Sequence, residues 1–494
     1  MGGGFGAKLT PGVEATVCAQ LSKELGRPVH LFVDRRACAL ATGNRPASLQ
    51  LLTAKATADG KLTDFTSKTR GFPGYNGSGG VRGSQGYYVR TRDRGDHRDM
   101  RANTGSARAF RAPGCPQGYF ASEGLIDEMA YRVGQDPLAF RLANLQNEVH
   151  KEQLRVAAEA IGYEQGRNRA PGVAEPGTTR LRGIGMAISS WFQSGQPRNA
   201  VLCRIHPDGR VEVRNGAQDI GTGTRTVLAL VTAEELGVPV DRIEVVLGHT
   251  SDPPGPGSGG STTTPSLAPT ARKAAFLAGR ELLRTLREAI GKDAGEPALE
   301  GGQVVWPDGR KLAWTEACKH LRQAPVEAQA SGWERWRGYA NNVHGAQMAD
   351  LSVDLRTGAI ELHKIVAVQD CGTVVDKLTA ESQVIGGVIQ GIGFAMYEER
   401  LTDTNLGRVL NTDFEHYRIP GVLEIPEIVA ILPRANNGHN CVGTMGLGEP
   451  PTIPTSAAIA NAVRNATGVR PLRLPLTPAR VHEGLVRMKI GRNA

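Results

Sequence analysis

Glycine in short blocks, each beside the start of a helix or the end of a strand, limits the folds open to this chain more than any other feature. Sixty-two of the 494 residues are glycine, about twice the usual share. They gather in "GGGFGAK" (2–8), "NGAQDIGTGTRT" (215–226), "PGPGSGGSTTT" (254–264), "SQVIGGVIQGIG" (382–393) and "GTMGLGEPP" (443–451), not in an even linker-like spread. Residues without a Cβ let backbone come close to a ligand or to another segment. The blocks therefore predict tight approaches at several separate points.

The last block carries one acid, Glu449, followed by Pro450 and Pro451. The prolines remove two N–H donors and predict an extended, stiff connection. Thr455 or Ser456 then reads as a helix N-cap, Ile459, Ala460 and Val463 follow at helical spacing, and Gly468 supplies the stop. A solvated turn residue is the ordinary reading of such a glutamate. A carboxylate fixed against a ligand is the functional one.

Composition removes several classes of function. Hydrophobic residues make up 40% and charged residues 22%, ordinary for a globular protein, and the length suits roughly two to four domains. The net charge of +9 invites nucleic acid, but the densest basic stretch, Arg90 to Arg101, is broken by Asp93, Asp96 and Asp99 and has no aromatic residue to stack on a base. It reads as a solvated surface segment. Seven cysteines without a CxxC pair argue against a zinc ribbon, an iron–sulfur site or a disulfide framework, and no HExxH occurs. No metal-ligand set is expected from the protein itself. There is no apolar run of membrane-spanning length and no signal-peptide pattern, so a cytoplasmic location is expected.

Period-two alternation around short polar turns predicts hairpins at 55–65, 201–213 and 351–368. Helical spacing marks 121–134, 226–237, 268–291 and 456–468. Hairpins with helices between them make an α+β chain, not a regular βαβ array. The Pro/Gly/Glu-rich stretch 164–178 is the best boundary candidate, and 293–310 looks like an inserted hairpin.

Chemistry points to the glycine turns. "GGGFGAK" formally satisfies G-x-G-x-x-A from Gly2, but a dinucleotide fingerprint needs a strand before it and only Met1 precedes. "AFRAPGCPQGYFASEG" (109–124) sets Arg111 beside a Pro-Gly turn that feeds a helix, and the turns at 221–223 and 259–261 offer hydroxyls and helix-start N–H groups. Such sets suit an anionic phosphate or a polar heterocycle. In 381–399, Gly386, Gly387, Gly391 and Gly393 would each cost about 1 kcal/mol in a helix interior, so close packing is expected there. Gln383 and Gln390 lie two turns apart on one face, and two exposed amides remain the plainer reading.

Taken in order, "GGGFGAK", "AFRAPG", "GAQDIGTGTRT", "GPGSGGS", "QDCGTVVD" with "SQVIGGVIQGIG", and "GLGEPP" resemble the large, molybdenum-binding subunit of the xanthine dehydrogenase and aldehyde oxidoreductase family. "AFRAPG" and "GPGSGGS" look more like aldehyde-oxidising than purine-oxidising members. The resemblance implies a Mo-molybdopterin cofactor, in many bacteria its cytosine dinucleotide form. It implies an α+β fold of two molybdopterin-binding domains of mixed hairpins and helices, 1–165 and 179–485, the first one incomplete. Carried over by position, Gly4, Phe5, Arg111, Ala112, Thr222, Gly223, Gly259, Gly260, Ser261 and Gln383 contact the cofactor. Glu449 is the catalytic base, taking a proton from a hydroxyl on molybdenum while an aldehyde or related electrophilic carbon is oxidised with water-derived oxygen. Electrons then leave to a [2Fe–2S] subunit and an FAD subunit of a heteromeric complex, with a periplasmic location open through a co-exported partner.

Two departures stand out. Ala7 replaces the last glycine of the family's "GGGFGGK", and the chain opens on a motif that the family reaches only after a substantial N-terminal region. Coding sequence upstream of Met1 is therefore expected, with core side chains such as Val29, Leu31 and Val33 short of partners. The alternatives are a purine or N-heterocycle hydroxylase subunit, and a catalytically inert truncated remnant acting as a scaffold.

Overall fold

The computed structural model describes residues 4–7, 9–88, 93–192, 195–196, 198–290, 295–332, 342–434 and 438–490. Gly2 and Gly3 of the first glycine block, Arg90 of the basic stretch and residues 293–294 lie outside them.

The chain begins with α1 (Val13–Leu25) and α2 (Arg35–Ala41), followed by β1 (Ala47–Ala56), β2 (Leu62–Gly74) and β3 (Asp93–Arg101). These strands form one sheet in the order β1-β2-β3, the first pair an antiparallel hairpin at the expected place, the second pair parallel. The basic stretch is thus largely a strand: Arg70 and Arg98 pair with Asp96 across and along it. No strand forms over 27–34, and Leu31 is exposed. Helices α3 (Cys115–Arg132), α4 (Pro137–Asn144), α5 (Glu148–Ile161) and α6 (Tyr163–Gly166) close this part.

An irregular segment leads to β4 (Arg180–Phe192), β5 (Ala200–Ile205) and β6 (Val211–Asn215). Then come α7 (Thr224–Leu236), β7 (Ile243–Leu247) and the long α8 (Thr263–Ile290). A small meander of β8 (Ala298–Glu300), β9 (Gln303–Val305) and β10 (Lys311–Ala313) occupies the site of the expected inserted hairpin. After it stand α9 (Trp314–Lys319), β11 (Val326–Ser331), β12 (Asn342–Asp354), β13 (Ile360–Gln369), α10 (Lys377–Ile392), β14 (Glu427–Ile431), α11 (Thr455–Thr467) and α12 (Pro478–Arg487). Two four-stranded sheets result, β11-β5-β6-β7 and β14-β13-β12-β4. Both predicted hairpins are present, and each sheet adds one parallel edge strand, β7 or β14. Parallel pairing needs a crossover, which α7 and α10 supply.

Helix α11 joins the parts. Twelve of its thirteen residues are buried, so it must be covered on every side. Against β4 the cover is backbone: a Cβ at Gly185 would lie 1.9 Å from the Ala462 nitrogen. Polar groups hold it as well: toward β4, Asn461 Nδ2 donates to the Met186 carbonyl at 2.9 Å and Asn465 accepts the Ile184 N–H at 3.0 Å, and toward α3, Asn465 donates to the Tyr131 hydroxyl and Arg464 pairs with Glu128. Deeper in, fully buried Arg141 binds Glu123 at 3.2 Å and Asp127 at 3.1 Å, and Asp127 also takes Arg470 at 2.7 Å.

Two local expectations are corrected. Pro450–Thr452 is a 3-10 turn, not an extended run, because Glu449 itself is helical in backbone. Thr455 is the first residue of α11 and caps nothing; its hydroxyl donates to Gln347 Oε1 at 2.7 Å instead. The stop at Gly468, with φ +76°, stands as expected.

Candidate active site

Glu449 gathers residues from both ends of the chain. Its N–H donates to Ser261 Oγ at 2.9 Å, the same hydroxyl lies 3.5 Å from Oε2, and the Ala112 N–H donates to Oε1 at 3.2 Å. A Cβ at Gly446 would stand 2.0 Å from the Ser261 carbonyl oxygen, and one at Gly448 3.4 Å from Ser261 Oγ. What these two glycines admit is therefore another turn of the same chain.

Phe5, Ala112 and Ser261 have φ of +46°, +58° and +60°. Non-glycine residues pay about 1–3 kcal/mol each in such conformations and keep them only where the surroundings enforce them. Among the described residues only Arg322 and Lys489 share this feature outside the site. Of these three strained residues, each expected to contact a cofactor, Ala112 and Ser261 border the carboxylate and Phe5 takes the Arg111 N–H on its carbonyl.

Arg111 sits between the acid's loop and α10. Its Nε donates to the Gly448 carbonyl, Nη1 to Gln390 Oε1 at 3.2 Å and Nη2 to the Gln383 carbonyl at 2.7 Å, while its own N–H reaches the Phe5 carbonyl at 2.6 Å. Two of its five N–H bonds remain beyond these three. Gln390 is thus a partner, not an exposed amide, and Gln383 takes part through its main chain. The helix glycines explain the approach: Gly386 faces Arg111 Nη1 at 3.9 Å, and Cβ atoms at Gly387 and Gly391 would meet Pro451 at 2.7 Å and Thr455 at 2.3 Å.

The other predicted residues frame this centre. The Gly4 carbonyl accepts the Ala7 N–H at 2.9 Å. Gly259 packs on Leu9, and the Gly260 carbonyl accepts the Trp191 indole N–H at 3.0 Å. Thr222 and Gly223 stand further off. Asp219 gathers the Gly221 and Thr222 N–H groups, and Gly223, with φ +79°, packs on Thr379 in the first turn of α10. That turn meets the acid's neighbours through α10.

Burial raises the Glu449 carboxyl above the usual carboxylate range, opposed by the Ala112 N–H, then Arg111, the Ser261 hydroxyl and Arg45. Burial likewise brings Arg111 and Arg45 down to about 10, with Glu449 favouring the charge on each. A half-buried carboxylate so tuned is a competent general base. Sequence reasoning missed Arg45 and Gln347. The first lies in "GNRP" with no periodic signal, and the second is one polar residue in buried β12, where its Nε2 donates to the Pro451 carbonyl at 2.6 Å.

Models of the molybdopterin cofactor-binding domain match residues 1–145 and 156–426. The chain belongs to the family of molybdenum-binding subunits of the xanthine dehydrogenase and aldehyde oxidoreductase type. Glu449 lies beyond both matched spans. The aldehyde oxidoreductase molybdenum-binding subunit PaoC of Escherichia coli K12 is 30% identical over 493 residues, covering 97% of this chain and 66% of that protein. The putative xanthine dehydrogenase molybdenum-binding subunit XdhA of the same organism is also 30% identical, covering 98% and 68%. The chain thus spans about two thirds of the length of these relatives. In fold it resembles quinoline 2-oxidoreductase from Pseudomonas putida 86, with a TM-score of 0.85 at 22% identity over 98% of this chain and 68% of that one. The aldehyde oxidoreductase of Desulfovibrio gigas gives 0.76 at 24%, over 98% and 54%.

The residues present fit the family's cofactor. Gly221 and Gly257 have open space where a Cβ would stand, Arg111 keeps spare donors, and the residues hydrogen-bonded to the acid, Ala112 and Ser261, have small side chains. No group of three His, Cys, Asp or Glu side chains among the described residues is placed to hold a metal ion, and the fit is to a pterin held by turns.

Proposed function

We propose that this chain is the large subunit of a molybdenum hydroxylase that oxidises an aldehyde, or a related electrophilic carbon, to the acid. The observation that carries the reading is the Glu449 carboxylate, held on Oε1 by the Ala112 main chain and raised by burial above the usual carboxylate range. When bound, the molybdopterin supplies the molybdenum that makes a hydroxyl acidic and takes up two electrons. This chain's residues do the rest. Glu449 takes a proton at Oε2, the oxygen beside Ser261, while Oε1 stays anchored. Gly4, Phe5, Ala112, Thr222, Gly223, Gly259, Gly260, Ser261 and Gln383 would line the cofactor, and Arg111 would bind it with its spare N–H groups while fixing the acid's loop to α10.

Support for an aldehyde comes from the "AFRAPG" and "GPGSGGS" motifs, since identity to an aldehyde oxidoreductase and to a putative xanthine dehydrogenase is equal. The reading includes the cytosine dinucleotide form of the pterin, a cytoplasmic location, two units at 1–165 and 179–485, and [2Fe–2S] and FAD partners. The partners are supported by the relatives' printed standing as subunits and by seven scattered cysteines that suit no cluster. A panel of aldehydes and purines, followed by dye reduction with molybdenum-loaded protein, tests the function. Aldehyde turnover is expected; turnover of purines alone would overturn the substrate, and a loaded protein inert to both would overturn the activity.

A further inference from the structure

Behind the acid lies a second arginine that the site's chemistry has not used. Arg45 Nη2 donates to the Arg111 carbonyl at 2.6 Å, and Nη1 reaches the Ala112 carbonyl at 3.4 Å and Gln117 Oε1 at 3.3 Å. Its guanidinium lies 5.3 Å from the ring centre of Phe110 and 4.9 Å from that of Phe394, and its Nε is enclosed without a hydrogen-bond partner. The carbonyl it grips and the N–H that Glu449 accepts belong to one peptide group, Arg111–Ala112. That peptide is therefore polarised from both ends, by a cation at its oxygen and a carboxylate at its hydrogen.

From this shared peptide we infer that Arg45 is a positioning residue for Glu449: it holds the Arg111–Ala112 peptide in its left-handed turn and keeps the Ala112 N–H aimed at Oε1. The arrangement explains the strain. Alanine at φ +58° reverts toward ordinary backbone unless something fixes the flanking carbonyls, and Arg45 is hydrogen-bonded to both. The choice of arginine follows too, because a planar fork reaches two carbonyls and lies between two rings, where a lysine offers one point of charge. Arg111 and Arg45 face Glu449 as cations, and the Cys115 thiol, pushed up to about 12 by burial, lies in the field of Arg82 and Arg45; Glu398 and Tyr417 also favour the charge on Arg45.

The inference rests on Glu449 being the base, and the test separates the two. The Glu449 carboxyl is titrated by infrared difference against Glu449→Gln, in cofactor-free protein and for Arg45→Lys and Arg45→Gln. Loss of the fork should move that titration upward by roughly one pH unit, the lower end of the effect of a nearby opposite charge, with Arg45→Lys between wild type and Arg45→Gln. In loaded enzyme the acid limb of the kcat profile should move by the same amount, with KM little changed. Where Arg45→Gln does not fold, Phe394→Leu, which loosens the slot around an intact guanidinium, should give a smaller shift of the same sign. An unmoved carboxyl titration in a folded variant overturns the positioning role, even if activity falls. A shifted titration in a protein without hydroxylase activity upholds the positioning and overturns the function.

Discussion

At Glu449 the carboxylate's two oxygens have different neighbours, and that asymmetry decides what substitutions do. Glu449→Gln keeps the shape and removes the base, so molybdenum content should be retained while turnover falls by a factor on the order of 10² or more; normal turnover with an aldehyde would reduce Glu449 to a loop residue. Arg111→Ala acts on binding. It deletes the guanidinium that ties Gly448 to Gln383 and Gln390, and the loss of a charge-assisted bond, roughly 1.5–3 kcal/mol, should appear as lowered molybdenum occupancy in the purified protein. Unchanged occupancy would make Arg111 purely a brace. Much of this centre was legible before any coordinates, because glycine blocks and a lone acid leave a local trace. What left none was contact across distance: that Ser261 touches Glu449, that Gln390 meets Arg111, and that Arg45 grips a carbonyl 66 positions away.

Among the elements, α10 shows why glycines persist in a helix at a local cost. Gly387 and Gly391 lie one turn apart and let α10 settle on Pro451, inside the 3-10 turn behind the acid, and on Thr455 at the start of α11. Gly391→Ala places a Cβ 2.3 Å from that of Thr455. Overpacking of this kind costs about 1–3 kcal/mol, so calorimetry should show a lower melting temperature despite alanine's better helix propensity. A raised melting temperature would mean that the helices separate freely. The sequence predicted close packing for these glycines, and the structure supplies its object. It misled where chemistry was read without geometry: a Pro-Pro pair suggested an extended run, and tertiary contact with α10 and β12 holds a 3-10 turn there instead.

Across the whole molecule the two parts meet through buried polar groups. Asp127 takes Arg141 from below and Arg470 from above. Removing one partner of a buried network leaves an uncompensated charge, so Asp127→Asn should cost about 3–5 kcal/mol, read by chemical denaturation; a loss within error would show that Glu123 alone satisfies Arg141. His150 on α5 and His344 on β12 face each other with ring centres 4.4 Å apart. Burial brings them down to about 3 and about 4, with His344 lowering His150 further. Both are neutral in the fold, whereas the unfolded chain protonates near the ordinary value of 6.5. Stability from this pair is therefore complete above pH 6.5 and is lost as pH falls toward 3. His344→Gln should flatten the fall in melting temperature over that window, and an unchanged slope would assign it to the carboxylates.

The donor that anchors Glu449 is main chain, on a residue that is already alanine. Only proline, which has no N–H, would delete it at position 112, and an alanine survey of the site would pass over it unseen. The setting of this carboxylate is thus inherited through the path of the backbone and the Arg45 fork that holds it. Substitutions in the side chains around it leave that main-chain donor in place.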